Sequence, residues 1–417
     1  MEKRFISLIR FRVAKAQYLN MGLKFKKLFT PVFLVFVILA GFGLGVWFGK
    51  TQVVCEICPP EEINFSLFWE AYHKLQEKFV DKEKLDVQTM IYGAISGMVK
   101  SLEDPYTVFL KPEETKRFIE DVKGTFEGVG MEIGIRKGQL QVIAPLEGTP
   151  AQRAGLRAGD KILEINGTST VDMIVEEAVN LIRGPKGTEV TLTILRGEWE
   201  KSKEIKIVRE VIEVPSLKWE IKDTPEGEAI AYIKLYQFSE KASFDFTQAA
   251  IEILNSPAKK IILDLRNNPG GYLEVAQDIS GWFLEKNAIV VIEDFGGKME
   301  QKIYKAQGPS RFLDYPIVIL INAGSASGSE ILAGALHDNR GILLIGEKSF
   351  GKGSVQELEK LKEGSLKITV ARWLTPKGEF ITDKGLEPDI KVEMTEEDYE
   401  EGKDPQLERA IDIIKNL

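Results

Sequence analysis

The sequence predicts an α/β protein, α+β over its full length, with a helical segment and one hydrophobic anchor ahead of the α/β part. Three observations predict it. From residue 213 onward, apolar strand-length runs alternate with helical patterns, as parallel strands joined by crossover helices do. Residues 122–212 have another texture, short strands broken by glycine turns. Residues 28–49, LFTPVFLVFVILAGFGLGVWFG, carry no charge and follow a basic tail that ends in Lys24, Lys26 and Lys27.

The chain has 417 residues, 44% hydrophobic and 28% charged, which excludes collagen-like, disordered and low-complexity classes and allows two or three domains. Residues 1–27 hold eight Lys/Arg and one Glu, +7 in a chain of net charge −8, so the remainder carries −15. An acidic body argues against a nucleic-acid partner. The run at 28–49 meets the length of about 20 residues that a spanning helix needs. Its basic flank places residues 1–27 in the cytoplasm and the body outside it. A cleaved signal peptide would have a shorter apolar region and an A-x-A-like site, and none follows Gly49. In the linker 50–62, Cys55 and Cys58 either bridge or remain idle thiols, and two cysteines do not make a zinc site alone. A lipoprotein reading at Cys55 is disfavoured by Val54 before it.

Residues 63–121 read as helices. Phe65, Phe68, Trp69, Tyr72, Leu75 and Phe79 recur at helical spacing and are predicted to be core, and Met90, Ile91, Ala94, Ile95, Met98 and Val99 form a second pattern. Within 122–212, the loop Glu127-Gly-Val-Gly130, the segment Ala154-Gly-Leu-Arg-Ala-Gly-Asp160 and the strand ending Ile165-Asn-Gly167 resemble a PDZ domain. That resemblance implies a module that binds free C-termini. The peptide adds a strand to a sheet edge, and loop amides at Gly128, Val129, Gly130 and Met131 hold its carboxylate. A PDZ-shaped spacer that binds nothing is the alternative.

In the 213–417 core, predicted strands are 229–235, 260–265, 317–321 and 341–345, and predicted helices are 244–254, 274–284 and 329–337. Loops at the carboxyl ends of parallel strands share one edge, where sites form. Three such loops stand out: Arg266-Asn-Asn-Pro-Gly-Gly271, the turn holding Ser325, Ser327 and Ser329, and Gly346-Glu-Lys-Ser-Phe-Gly-Lys-Gly-Ser-Val-Gln356. A serine on a sharp strand-to-helix turn is presented outward, and the helix start offers N–H groups to an oxyanion. Serines at a helix start also serve as caps.

The chain has only two histidines. His337 lies about 15 Å along the helix from Ser327, at 1.5 Å per residue. His73 sits in the N-terminal helices. A neutral lysine can replace histidine as base if burial lowers its pKa. Lys348 and Lys352 share the third loop. Lys348 follows Glu347, which would hold it charged, whereas Gly351 and Gly353 flank Lys352 and let the backbone approach another loop. A solvated lysine in a glycine loop is the competing reading. Neither GxxxxGK[ST] nor GxGxxG is present here, which argues against a phosphate cradle.

Together these loops resemble the tail-specific, or C-terminal processing, proteases: the Ser-Lys type of peptidase family S41. The segments are Leu265–Gly271, Gly324–Glu330 with Ala333-Gly-Ala-Leu336, and Gly346–Gln356. They are supported by Ser101-Leu-Glu-Asp-Pro-Tyr106, Leu374-Thr-Pro376 and Gly385-Leu-Glu-Pro-Asp389, so the likeness covers about 63–393. It implies a crotonase/ClpP-like α/β protease core with the PDZ domain placed inside it. It implies Ser327 as nucleophile, Lys352 as base and Gln356 as the group orienting the amine. Gly328, with Gly270 or Gly271, would form the oxyanion hole. Gly328 departs from relatives, which often carry alanine there.

The expectation is a serine endopeptidase of the bacterial inner membrane. It would be single-pass, with an extracytoplasmic body, acting on protein or peptide substrates with accessible C-termini. No metal or cofactor is expected, and the short amphipathic end, Leu407–Ile414, either mediates homo-oligomer contact or docks on its own core. Two rivals remain: a catalytically silent PDZ adaptor on a protease-like scaffold, and an acyl-transfer enzyme of crotonase-like architecture. The latter explains neither the PDZ domain nor the lysine loop.

Overall fold

The computed structural model describes residues 33–47, 64–136, 138–146, 148–197, 199–223 and 227–417. It divides the chain into two units, Met1–Asp86 and Val87–Leu417, so the predicted helical part 63–121 is split between them. In the first unit, 33–47 (α1) is helical within the predicted anchor. Among the described residues no helix is long and apolar enough to cross a membrane. The ends of the 28–49 run, the tail 1–27 and the linker 50–62 with Cys55 and Cys58 lie outside the described residues. Helix α2 (Ser66–Lys78) follows. Its aromatic stripe was predicted to be core, but no residue of α2 is buried, and Phe68 and Trp69 are exposed. Helical periodicity identifies a face; it does not say what covers it.

The second unit opens with α3 (Val87–Lys100), β1 (Val108–Leu110) and α4 (Pro112–Lys123). The inserted domain holds β2 (Thr125–Gly128), β3 (Met131–Arg136), β4 (Gln139–Pro145), α5 (Pro150–Arg153), β5 (Lys161–Ile165), β6 (Thr168–Ser169), α6 (Val175–Ile182), β7 (Glu189–Leu195), β8 (Lys203–Val208) and β9 (Glu210–Glu213). Antiparallel pairing of β2 with β9 clasps its two ends. Its main sheet runs β3-β4-β5-β7-β8, which leaves β3 at an edge beside α6. Val142, Ile162, Ile165, Leu192 and Ile194 form its core.

The core follows as β10 (Leu217–Asp223), β11 (Ala229–Leu235), α7 (Ala242–Leu254), β12 (Lys260–Asp264), α8 (Leu273–Phe283), β13 (Ile289–Asp294), β14 (Lys302–Lys305), β15 (Ile317–Ile321), α9 (Gly328–Arg340), β16 (Leu343–Gly346), β17 (Ser354–Lys360), β18 (Ser365–Leu374), β19 (Ile390–Lys391), α10 (Glu396–Glu401) and α11 (Pro405–Ile414). The main sheet runs β10-β11-β12-β15-β16-β19, parallel from β11 onward. Side chains alternate between its faces. Ile233, Leu263 and Ile319 pack on the face of α7, α8 and α9. Ile230, Ile262, Val318 and Leu320 pack with Ala410 and Ile414 of α11. The amphipathic C-terminal segment is therefore the second cover of its own sheet. A further sheet, β1-β18-β13-β14 with β17 beside β18, is antiparallel and was not read from the sequence.

Candidate active site

Strands β12, β15 and β16 are consecutive and parallel, so the loops that follow them emerge side by side. The middle loop carries the serines. Ser325 and Ser329 are fully buried. Ser325 Oγ accepts the Asn322 N–H at 3.0 Å and donates to the Leu265 carbonyl at 2.8 Å. Ser329 Oγ donates to the Asn268 carbonyl at 2.9 Å. Both are committed to bracing the turn. Ser327 is half-buried; its Oγ faces the Glu330 backbone N–H in a capping box, and among the described residues it is not hydrogen-bonded to another side chain. It sits at the N-terminus of α9 with φ 53° and ψ −113°, a conformation disfavoured for any residue with a Cβ. Such strain persists only where neighbours over-determine it, and here the Ala326 N–H binds the Asn268 carbonyl and the Phe350 N–H binds the Ser325 carbonyl.

The 266–271 loop packs directly on this turn. A Cβ on Gly270 would lie 2.7 Å from the Ala326 oxygen, the Gly328 nitrogen and the Ser327 Cβ, so only glycine fits. The Gly270 N–H donates to Asn268 Oδ1 at 2.9 Å, and that amide is therefore taken. The Gly271 nitrogen lies 3.5 Å from where a Gly328 Cβ would sit. Among the described residues neither the Gly271 nor the Gly328 N–H has a hydrogen-bond partner. Of the three predicted donors, the structure leaves these two amides together and engages the third. Arg266 anchors the loop from below through Asp264 and Asp404.

In the third loop the two lysines separate. Lys348 is exposed and pairs with Glu387 at 2.7 Å, while Glu347, its expected partner, accepts the Met394 N–H. Lys352 is largely enclosed, with no carboxylate in ion-pair distance among the described residues. Burial pulls its amine below the ordinary lysine pKa, neighbouring Lys367 adds to the effect, and Glu330 opposes it. The flanking glycines do allow close approach: a Cβ on Gly353 would lie 2.1 Å from the Thr382 nitrogen, and one on Gly351 3.1 Å from that of Gly385. Gln356 follows a bulge in β17, and its Nε2 donates to Ser354 Oγ. Among the described residues no hydrogen bond joins Gln356 to Lys352.

Glu330 was not singled out from the sequence, although Ser327 and Glu330 have the S-x-x-E spacing of a capping box. It is 1% exposed. Its Oε1 accepts from Ser349 Oγ at 2.6 Å and the Gly351 N–H at 2.7 Å. Its Oε2 accepts from the Ser327 N–H at 2.9 Å and the Lys352 N–H at 3.0 Å. Burial still pushes its pKa above the usual carboxylate value. Tyr106, from the segment before β1, is likewise pushed up, first by burial and then by Asp383, Glu330 and Asp104. His337 Nδ1 lies 3.2 Å from the Ile342 carbonyl at the far end of α9. His73 is exposed in the first unit. Among the described residues no cluster of three His, Cys, Asp or Glu could hold a metal.

In the inserted domain a cavity of about 730 Å³ runs between β3 and α6. Val129, Gly130 and Met131 line it, with Arg183 of α6's C-terminus and with Lys218 and Tyr236 of the core. The Val129 and Gly130 carbonyls turn inward, to the N–H groups of Ala151 and Leu146 respectively, and their own N–H groups have no partner among the described residues. Gly130 has φ 76°, and a Cβ there would lie 2.5 Å from Thr149. Gly128 does not join the cavity; it belongs to the β2–β9 pair.

Comparison with known proteins agrees with this layout. Family profiles match at 229–392 (Peptidase family S41), 119–195 (PDZ domain) and 58–115 (Activating protease CtpB N-terminal domain). The chain is 36% identical over 370 residues to the carboxy-terminal processing protease CtpA of Bacillus subtilis (strain 168), covering 88% of this chain and 77% of that one. It is 38% identical over 343 residues to a probable CtpA-like serine protease of Staphylococcus aureus (strain MSSA476), covering 82% and 67%. Among solved structures, the photosystem II D1 C-terminal processing protease superposes with TM-score 0.51 at 28% identity, covering 78% and 92%. A putative S41 protease from Bacteroides fragilis NCTC 9343 shares the fold, with TM-score 0.58 at 15% identity, covering 86% and 99%. A serine turn braced by two glycine loops, a PDZ domain inside the protease and these relatives lead to one conclusion: the chain belongs to peptidase family S41, as a PDZ-containing serine-type C-terminal processing protease.

Proposed function

We propose that the chain is a membrane-anchored endopeptidase that takes unstructured protein C-termini in its PDZ groove and cuts by a Ser-Lys mechanism. The observation that carries the mechanism is the placing of Ser327 and Lys352: their backbone N–H groups share one Glu330 oxygen, at 2.9 and 3.0 Å. Ser327 Oγ attacks the scissile carbonyl and its proton passes to neutral Lys352 Nζ. The Gly328 and Gly271 N–H groups take the developing oxyanion. Protonated Lys352 then gives its proton to the leaving amine; the Lys352 amine, neutral again, takes a proton from the water that attacks the acyl-enzyme and returns it to Ser327 Oγ as the ester bond breaks. Gln356 joins only after turning from Ser354 toward Lys352.

The test is digestion of an unfolded polypeptide by the detergent-solubilised full chain. Wild type is expected to cleave and Ser327→Ala to be inert. Equal turnover by both would rule out this nucleophile, and inert wild type would favour the silent PDZ adaptor. Anchoring rests on the uncharged 28–49 run and the basic tail before it. That topology puts the body outside the bacterial cytoplasm, so a C-terminal reporter that works only in the cytoplasm is expected to stay silent. A bright reporter reverses the orientation.

A further inference from the structure

Glu330 has no place in the Ser-Lys-Gln scheme, yet its carboxylate accepts the backbone N–H groups of two of that scheme's members, Ser327 and Lys352. A carboxylate 1% exposed is costly unless its oxygens are satisfied, and here four donors satisfy them. The donors are not arbitrary. Ser327 N–H comes from the turn after β15, and Ser349 Oγ, Gly351 N–H and Lys352 N–H come from the loop after β16. One carboxylate therefore binds the nucleophile's residue and the base's residue to each other. No other side chain among the described residues accepts from both backbones.

The same group bears on the Ser327 strain. At φ 53° the Ser327 peptide is turned out of the helical region, and its N–H points to Glu330 rather than into a backbone ladder. Ser349 extends the reach outward: its Oγ donates to Glu330 and accepts the Leu386 N–H at 2.7 Å, while its own N–H binds the Leu386 carbonyl. The segment 381–386 that packs on the glycines of the lysine loop is thus joined to the same carboxylate.

We propose that Glu330 is the positioning residue of the Ser327–Lys352 pair: its buried carboxylate clamps the serine turn and the lysine loop in the register that puts the Lys352 amine within reach of Ser327 Oγ. The proposal rests on the Ser-Lys reading above. Glu330 touches no substrate atom in it. It acts by holding two backbones, so its loss is felt in the chemical step and not in peptide capture by the PDZ groove, which Glu330 does not line. Misplacing reacting groups by about 1 Å costs on the order of 10²-fold in rate.

The test compares wild type, Ser327→Ala, Glu330→Gln and Ser349→Ala as full chains on one peptide substrate, with kcat and KM measured separately. Gln has the shape of Glu, but its amide nitrogen cannot accept, so one half of the clamp opens. The expected result is a fall of about 10²-fold in kcat for Glu330→Gln with KM within about twofold of wild type. Amide exchange, read by mass spectrometry, should become faster in peptides covering 325–331 and 349–353 and stay unchanged across the PDZ sheet. Ser349→Ala keeps the carboxylate and loses one donor, so a smaller fall in kcat is expected. It decides the matter if Glu330→Gln does not fold. Wild-type kcat in the folded variants, or a loss confined to KM, overturns the clamp while Ser327-dependent cleavage still stands. Cleavage that survives Ser327→Ala overturns the Ser-Lys reading, and the clamp falls with it.

Discussion

A lysine amine can take a proton from serine only while it is neutral, and everything around Lys352 bears on that state. Burial and Lys367 lower its pKa, Glu330 raises it, and the net direction is down. The neutral fraction grows as pH rises through the lowered pKa, so turnover is expected to climb with pH across that range and then level off. A rate flat from mildly acidic to alkaline pH contradicts a lysine base. Arginine keeps the charge but cannot be deprotonated in a protein. Lys352→Arg is therefore expected to be as inactive as Lys352→Ala, a loss of at least about 10²-fold for removing a general base. Lys348→Ala, which breaks only an exposed pair with Glu387, is expected to keep near wild-type turnover. Reversal of that order in a peptide assay would assign the base to the wrong lysine.

Among elements, the loop between β2 and β3 and the edge strand β3 are the pair to examine. Val129 and Gly130, whose N–H groups have no partner among the described residues, line a cavity bordered by β3 and α6, and β3 is an edge strand of its sheet. A peptide can extend the sheet there and leave its terminal carboxylate on the two amides. Amidating the peptide removes that charge and is expected to weaken binding by about 1.5–3 kcal/mol, the range for hydrogen bonds to charged groups. Titrating acid and amide forms of one peptide by calorimetry checks it, and equal affinities would mean that the loop does not read termini. At this scale the sequence was legible where turns need glycine, as at Gly130, whose Cβ would strike Thr149. Strands β13, β14, β17 and β18 escaped it. Lys302–Lys305 mixes exposed and half-buried positions, Ser354–Lys360 adds a buried Ser354, and only the partner strand decides which face is covered.

Over the whole second unit, α11 is the element that closes the parallel sheet. Ile414 is fully buried against the face formed by Ile262, Val318 and Leu320. Ile414→Ala is expected to cost about 2–5 kcal/mol, a range set by how far the cavity collapses. Urea unfolding of the full chain measures it, and a shift below 0.5 kcal/mol would show that α11 is dispensable to the sheet. By itself the sequence determined the buried strands of that sheet, since short apolar, β-branched runs such as Ile317–Ile321, bounded by Pro316 and the Gly/Ser turn, fit a strand covered on both faces. It also determined which residue types stand in the three loops, and through resemblance it named Ser327, Lys352 and Gln356. Only the tertiary structure decided that Ser325 and Ser329 are braces, that Gly271 and not Gly270 has a free amide, that Lys348 is paired, and that the α2 stripe is not core. It alone brought Glu330 under both loops. The physical reason is the same in each case: a residue's type states what bonds it can make, but a donor's availability and an amine's pKa depend on neighbours that folding brings from distant positions in the chain.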